Sequence, residues 1–97
     1  MPRIKDHMEN ILSVVADMTE IPCELIKSRC SRADVVDARW IAVWLMRRAG
    51  IYAMNIADHM RITPRYVQYI MTDFEDRIAL SKPMRMNYDA VRKRLGI

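Results

Sequence analysis

The chain has 97 residues, 52% apolar and 29% charged, which supplies one hydrophobic core and excludes both a disordered tract and a multidomain enzyme. The longest apolar run, residues 40–46, is far short of the ~20 that span a bilayer. The opening "MPRIKDHMEN" has no apolar stretch of the secretory kind, so the reading is a cytoplasmic protein without a membrane partner. Net charge is +4, but residues 1–26 carry two basic and five acidic groups while residues 27–65 carry eight basic and three acidic. That asymmetry points to a polyanionic partner more strongly than the total does.

No stretch sustains the alternation of a strand, and helical spacing recurs throughout. The expected fold class is therefore all-α: a compact bundle of five to six helices forming one domain over 1–97. Met8, Ile11, Leu12, Val15 and Met18 share one face of a helix over 6–18. Pro22 and its neighbours interrupt it, and a short helix over 22–27 follows with Leu25 and Ile26 facing inward. The segment "KSRCSR", 27–32, lacks apolar periodicity and reads as a basic loop. Ser31 or Asp34 is expected to cap the next helix, and Asp34 and Asp37 suit its positive end. That helix runs to about Arg48. It is apolar nearly all round, which places it at the centre of the bundle, and Gly50 supplies its C-terminal cap.

A short helix over 53–60, a tight connection at Arg61 and Ile62, and a longer helix opening on Thr63-Pro64 come next. Threonine at the N-cap followed by proline at the first helical position is a strong start signal. Val67, Ile70, Met71, Phe74 and Ile78 form a buried stripe. Arg65, Tyr66, Gln68, Tyr69 and Thr72 occupy the opposite face. The segment "LSKPMRM" reads as a linker, and a last helix over 88–95 is capped by Asn87 before it and Gly96 after it.

Cys23 and Cys30 form no CxxC pair and no zinc spacing with His7 or His59, so both read as ordinary reduced residues and no metal or other cofactor is expected. His59 has a surface or cap reading and, beside it, a phosphate-contact reading.

A short helix, a tight turn and a longer amphipathic helix make a helix-turn-helix pattern, whose second helix lies in the major groove of duplex DNA with its first turns on the base edges. Those positions hold Arg65, Tyr66, Gln68 and Tyr69. Arginine can fork onto guanine, glutamine can pair with adenine, and tyrosine offers a hydroxyl and an apolar ring. Two aromatic side chains at the start of an exposed face exceed what solvation alone requires.

The order of parts is more specific than any one of them. The "SRADVVDARWIA" stretch, with Ala38, Arg39, Ile41, Ala42 and Leu45 fitting an "AR-x-IA-x-x-L" core and Ile56-Ala57 fitting the next helix, resembles the C-terminal DNA-binding domain of the bacterial replication initiator DnaA. The resemblance covers 8–79. It implies the all-helical fold shared with the Trp repressor and double-stranded DNA as partner. It also implies a basic loop that approaches backbone and minor groove, with Arg29 or Arg32 inserted there, and phosphate contacts from Arg39 and Arg47. Lys27, Arg61 and Thr63 complete the set facing the backbone. The recognition helix departs from the family: "MRITPRYVQ" stands where "GGRDH-[ST]-TV" belongs, so the scaffold is kept and the reading residues are changed. No Walker "GxxxxGK[ST]" is present, so no ATPase accompanies it.

The expected function is sequence-specific binding of duplex DNA by a small regulator of transcription or replication, nucleoid-associated within the cytoplasm. A protein-interaction module on the same fold, using the Tyr66–Tyr69 face and the Met-rich surfaces, is the alternative. No nucleophile–base or carboxylate pair stands out, so no enzyme and no small-molecule substrate are expected. Residues 80–97 lie outside the resemblance. Three uses are open to them: the arm of a homodimer, a DNA contact through Arg92, Lys93 and Arg94, or a helix closing the core with Val91 and Leu95.

Overall fold

The computed structural model describes residues 3–97, in which six helices and no strand occur. They are α1 (Ile4–Thr19), α2 (Cys23–Ile26), α3 (Ala33–Arg48), α4 (Ala53–Met60), α5 (Pro64–Leu80) and α6 (Lys82–Leu95). The apolar stripe of α1 is buried as its spacing requires, at Met8, Ile11, Leu12 and Val15. Glu20 ends this helix in a left-handed conformation at φ 59°, and the Ile21 N–H then donates back to the Ala16 carbonyl at 3.2 Å. In α2, Ile26 is fully buried and Leu25 half-buried.

Helix α3 is the hub and packs against each of the other five. Every residue from 38 to 46 on it is buried, so it lacks the polar stripe of a surface helix. A side chain such as Ile41, fully enclosed, stabilises the fold by about 2–5 kcal/mol relative to alanine. Its start differs from expectation. Neither Ser31 nor Asp34 is the N-cap; Arg32 holds that position without a side-chain cap bond. The helix begins one residue before Asp34, whose carboxylate instead accepts from the Val35 N–H at 2.9 Å from within the first turn. That still satisfies one of the free donors at the helix end. At the other end, Gly50 adopts φ 91° just beyond the cap residue Ala49. The Gly50 N–H donates to the Arg47 carbonyl at 3.0 Å and the Ile51 N–H to Met46 at 3.2 Å, the paired closure that favours glycine at this position.

Only residues 61–63 separate α4 from α5. Arg61 turns the chain at φ 61°, and the Ile62 N–H donates to Ala57 at 2.9 Å. Thr63 caps α5 as its sequence predicts, its hydroxyl accepting from the Tyr66 N–H at 3.0 Å with Pro64 at the helix start. Val67, Ile70 and Phe74 are buried and Met71 and Ile78 half-buried.

The expected linker after α5 is not a linker. Helix α6 starts at Lys82, with Ser81 alone between the helices. The Ser81 hydroxyl accepts from the Met84 N–H at 3.3 Å. Pro83 falls in the first turn, where a missing N–H costs nothing, so it opens the helix and does not break it. Asn87 consequently lies inside α6 and caps nothing, whereas Gly96 closes it at φ 75°. Met84 and Val91 are buried and Leu95 packs on the core, so α6 completes the bundle against α1, α3 and α5. The radius of gyration, 12.1 Å, is close to the ~12.5 Å of a compact domain of this length. Among the described residues no helix is long and apolar enough to cross a membrane.

Candidate nucleic-acid interface

The candidate reading face is set by the helical phase of α5. At about 100° per residue, Arg65, Gln68, Tyr69 and Thr72 fall within about 100° of arc on its first turns, and all four are exposed. The Thr72 hydroxyl is turned back onto the Gln68 carbonyl at 3.0 Å. Tyr69, 53% exposed, keeps one edge against Trp40, with ring centroids 5.7 Å apart and nearly perpendicular. Tyr66 stands farther round the helix and is half-buried. Its hydroxyl accepts from the Trp40 indole N–H at 3.0 Å, and its ring lies nearly parallel to that of Tyr69 at 6.1 Å. Tyr66 is thus held to the core and supports Tyr69, while Arg65, Gln68 and Tyr69 are free to meet a partner. Farther along, Glu75 and Asp76 fall on or beside the same arc and are exposed. The first two turns of this face thus carry Arg65 and no acid, and the acids lie farther along.

The basic loop is held by an unexpected agent. Arg39 is 5% exposed, the only buried charged residue among those described. Its Nε–H donates to the Ile26 carbonyl at 2.8 Å, and Nη2 donates to Ser28 at 2.6 Å and Cys30 at 3.0 Å. A guanidinium presents five donors in a rigid fork, and here three of them go to the carbonyl of Ile26 at the end of α2 and to two loop carbonyls. Arg39 is therefore not a surface clamp for phosphate, contrary to the expectation carried by the resemblance. The buried charge is satisfied by the backbone it organises, and the irregular segment 27–32 gains a fixed shape. Within the loop, the Ser28 hydroxyl donates to Leu25 at 2.6 Å and accepts from the Cys30 N–H at 3.1 Å.

The other cations differ in how free they are. Arg29 is exposed and has no acidic partner within 4.0 Å among the described residues. Arg32 is exposed but tied to Asp34, Nε to Oδ1 at 2.6 Å, and the same hydrogen bond holds the Asp34 carboxyl below the usual range. Glu24 lies between Lys27, at 3.5 Å, and Arg61, at 3.6 Å, which joins the start of the loop to the turn before α5. Arg47 is exposed at the end of α3 and has no acidic partner within 4.0 Å among the described residues. Thr63 acts as the cap of α5, with its hydroxyl occupied as acceptor. The His59 Nε2 is enclosed without a hydrogen-bond partner, so that nitrogen does not face a ligand in solution. Burial first, then the nearby Lys27 charge, pushes the His59 imidazole below its ordinary pKa.

Two supports were not readable from spacing. The Arg77 guanidinium grips the Asp37 carboxylate at 2.8 Å and lies 4.9 Å above the Trp40 ring. This bridges α3 to α5 across forty positions of sequence, and nothing local in "DARW" or "DRIA" signals it. The half-burial of Tyr66 also depends on where Trp40 points. No family model matches the chain, and no curated protein is detectably similar to it in sequence.

Proposed function

We propose that the chain is a double-stranded DNA-binding protein in which the first two turns of α5 read bases and the loop 27–32 engages the backbone or minor groove. The observation that carries this reading is the contrast along α5. Arg65, Gln68 and Tyr69 stand exposed where a reading helix meets bases, and Glu75 and Asp76 close the same face to phosphate farther on. The short connection 61–63 and the capped start of α5 suit a helix-turn-helix. Arg29, on a loop shaped by Arg39, is the cation best placed to enter a narrow minor groove. Arg47 serves as a phosphate contact, with Lys27 and Arg61 partly neutralised by Glu24 and Arg32 by Asp34. In this reading the chain is a small regulator on a scaffold like that of the DnaA C-terminal domain, with its own target sequence and no catalytic role. Its place is the nucleoid.

A protein-interaction module is favoured by exposed apolar side chains, Tyr69 on the α5 face and Tyr52, Met54, Leu80 and Met86 elsewhere. Selection of bound sequences from random duplex DNA, run at two salt concentrations, separates the two. A DNA reader enriches a defined site, and its affinity falls steeply as salt rises through release of counterions. Absence of enrichment together with a flat salt response overturns the DNA reading.

A further inference from the structure

A second feature lies away from the opening turns of α5. A cleft of about 860 Å³ opens between α1, α3, α5 and α6. That volume is within the ~300–1,000 Å³ of small-molecule sites. Three aromatic side chains back it from the core, Phe74 at 1% exposure, Trp44 at 7% and Tyr88 half-buried. Trp44 stacks on Phe74 at 4.3 Å and 13°, and Phe74 meets Tyr88 edge-on at 5.3 Å. The Trp44 indole N–H donates to the Tyr88 hydroxyl at 3.0 Å, which fixes both rings.

Two cations border these rings. The Arg48 guanidinium lies 5.4 Å from the Trp44 ring centroid, and that of Arg92 lies 5.4 Å from Tyr88. Both line the cleft, both are exposed, and neither has a carboxylate within 4.0 Å among the described residues. Contact with a ring uses the face of a guanidinium and leaves its N–H edge free to pair with an oxyanion in two-point fashion. Glu75 lines the same cleft and pairs with neither arginine, so it limits how much negative charge the cleft accepts.

We propose that this cleft binds a small organic anion, with an apolar body against the half-buried Ile78, Tyr88 and Leu95 and a carboxylate, sulfonate or phosphate paired with Arg48 and Arg92. The charge of the ligand follows from the two unpaired guanidinium groups, and its apolar body from the Ile78, Tyr88 and Leu95 surface beside them. The site does not depend on the DNA reading, since α5 contributes Phe74, Glu75 and Ile78 to it and none of the exposed residues on its first two turns.

The probe is 1-anilinonaphthalene-8-sulfonate, titrated by fluorescence into the full chain, with circular dichroism confirming the native fold. A saturable rise at one site per chain is expected. Arg48→Ala with Arg92→Ala should weaken it at least tenfold, and Glu75→Gln should tighten it several-fold. The neutral analogue without the sulfonate should bind at least tenfold more weakly than the probe. If the double variant loses its fold, Arg92→Gln and the neutral analogue carry the test. No saturable binding to the native chain overturns the proposal, as does equal affinity for probe and neutral analogue. So does a variant that retains probe affinity and loses only duplex DNA, which would make the arginines phosphate contacts.

Discussion

The loop 27–32 and the opening turns of α5 reach a fixed shape by opposite means. In the loop no repeating backbone pattern exists, and a buried side chain, Arg39, supplies donors to the carbonyls of Ile26, Ser28 and Cys30. In α5 the backbone satisfies itself once Thr63 caps the start, so Arg65, Gln68 and Tyr69 are left unspent. The irregular segment consumes a cation of the neighbouring helix to become rigid, whereas the start of α5 leaves Arg65 available. A basic residue near a binding surface is therefore to be judged by what its donors already hold.

The strongest way to break this contrast is Arg39→Met. It leaves the carbonyls of Ile26, Ser28 and Cys30 without their charged donor and should cost about 3–5 kcal/mol in urea unfolding. Arg39→Lys, which keeps the charge but not the fork, should cost less. A loss under about 1 kcal/mol for Arg39→Met would show that the loop holds itself. Next, Arg65→Ala should leave stability nearly unchanged and lower affinity for the selected DNA site by about 1–3 kcal/mol, with little effect on random duplex. Equal loss on both sequences removes Arg65 from base reading. Arg47→Ala, by contrast, should weaken all duplexes alike and flatten the salt slope by about one unit.

A smaller effect is expected from Tyr66→Phe. It removes the acceptor of the Trp40 indole N–H and should cost about 1 kcal/mol, with site affinity falling only as Tyr69 loses its support. If site affinity drops as far as with Arg65→Ala while stability holds, Tyr66 touches DNA itself. The smallest effect concerns pH. His59 has a lower pKa folded than unfolded, so the unfolded chain binds more protons as pH falls. Stability from this group is complete above about pH 7 and declines as pH drops through the unfolded value near 6.5. The facing charges are Lys5 and Lys27, which add to the decline, and Glu9 and Asp58, which oppose it. His59→Gln should flatten stability between pH 7.5 and about 5.5; an unchanged profile would assign the dependence elsewhere.

Much of the fold is written locally. Thr63-Pro64 marks the start of α5 without help from distant residues, and the stripe Val67, Ile70, Phe74 identifies its buried face. Helix α4 has the same bounds in spacing and in structure, because Gly50 and Arg61 bracket it. The linker reading of "LSKPMRM" fails at Pro83 for a physical reason: the residue that ends one helix is tolerated in the first turn of another. Arg39 was misread because charge is visible in sequence and the direction of three carbonyls is not. On α5 the helical arc separates Arg65, Gln68 and Tyr69 from the core stripe, but the sideways position of Tyr66 needs Trp40 to give it a partner.

The two indole hydrogen bonds have an optical consequence. The chain contains two tryptophans, and each donates to a tyrosine on a different helix: Trp40 to α5, Trp44 to α6. Trp40 meets α5 through Tyr66 and Tyr69, whereas Trp44 meets α5 through Phe74 and α6 through Tyr88, so the two emissions report on different contacts. With Trp44→Phe, the remaining emission should respond to duplex DNA; with Trp40→Phe, it should respond to the organic anion. The molecule is thus equipped to tell its observers, in two separate signals, which of its surfaces is occupied.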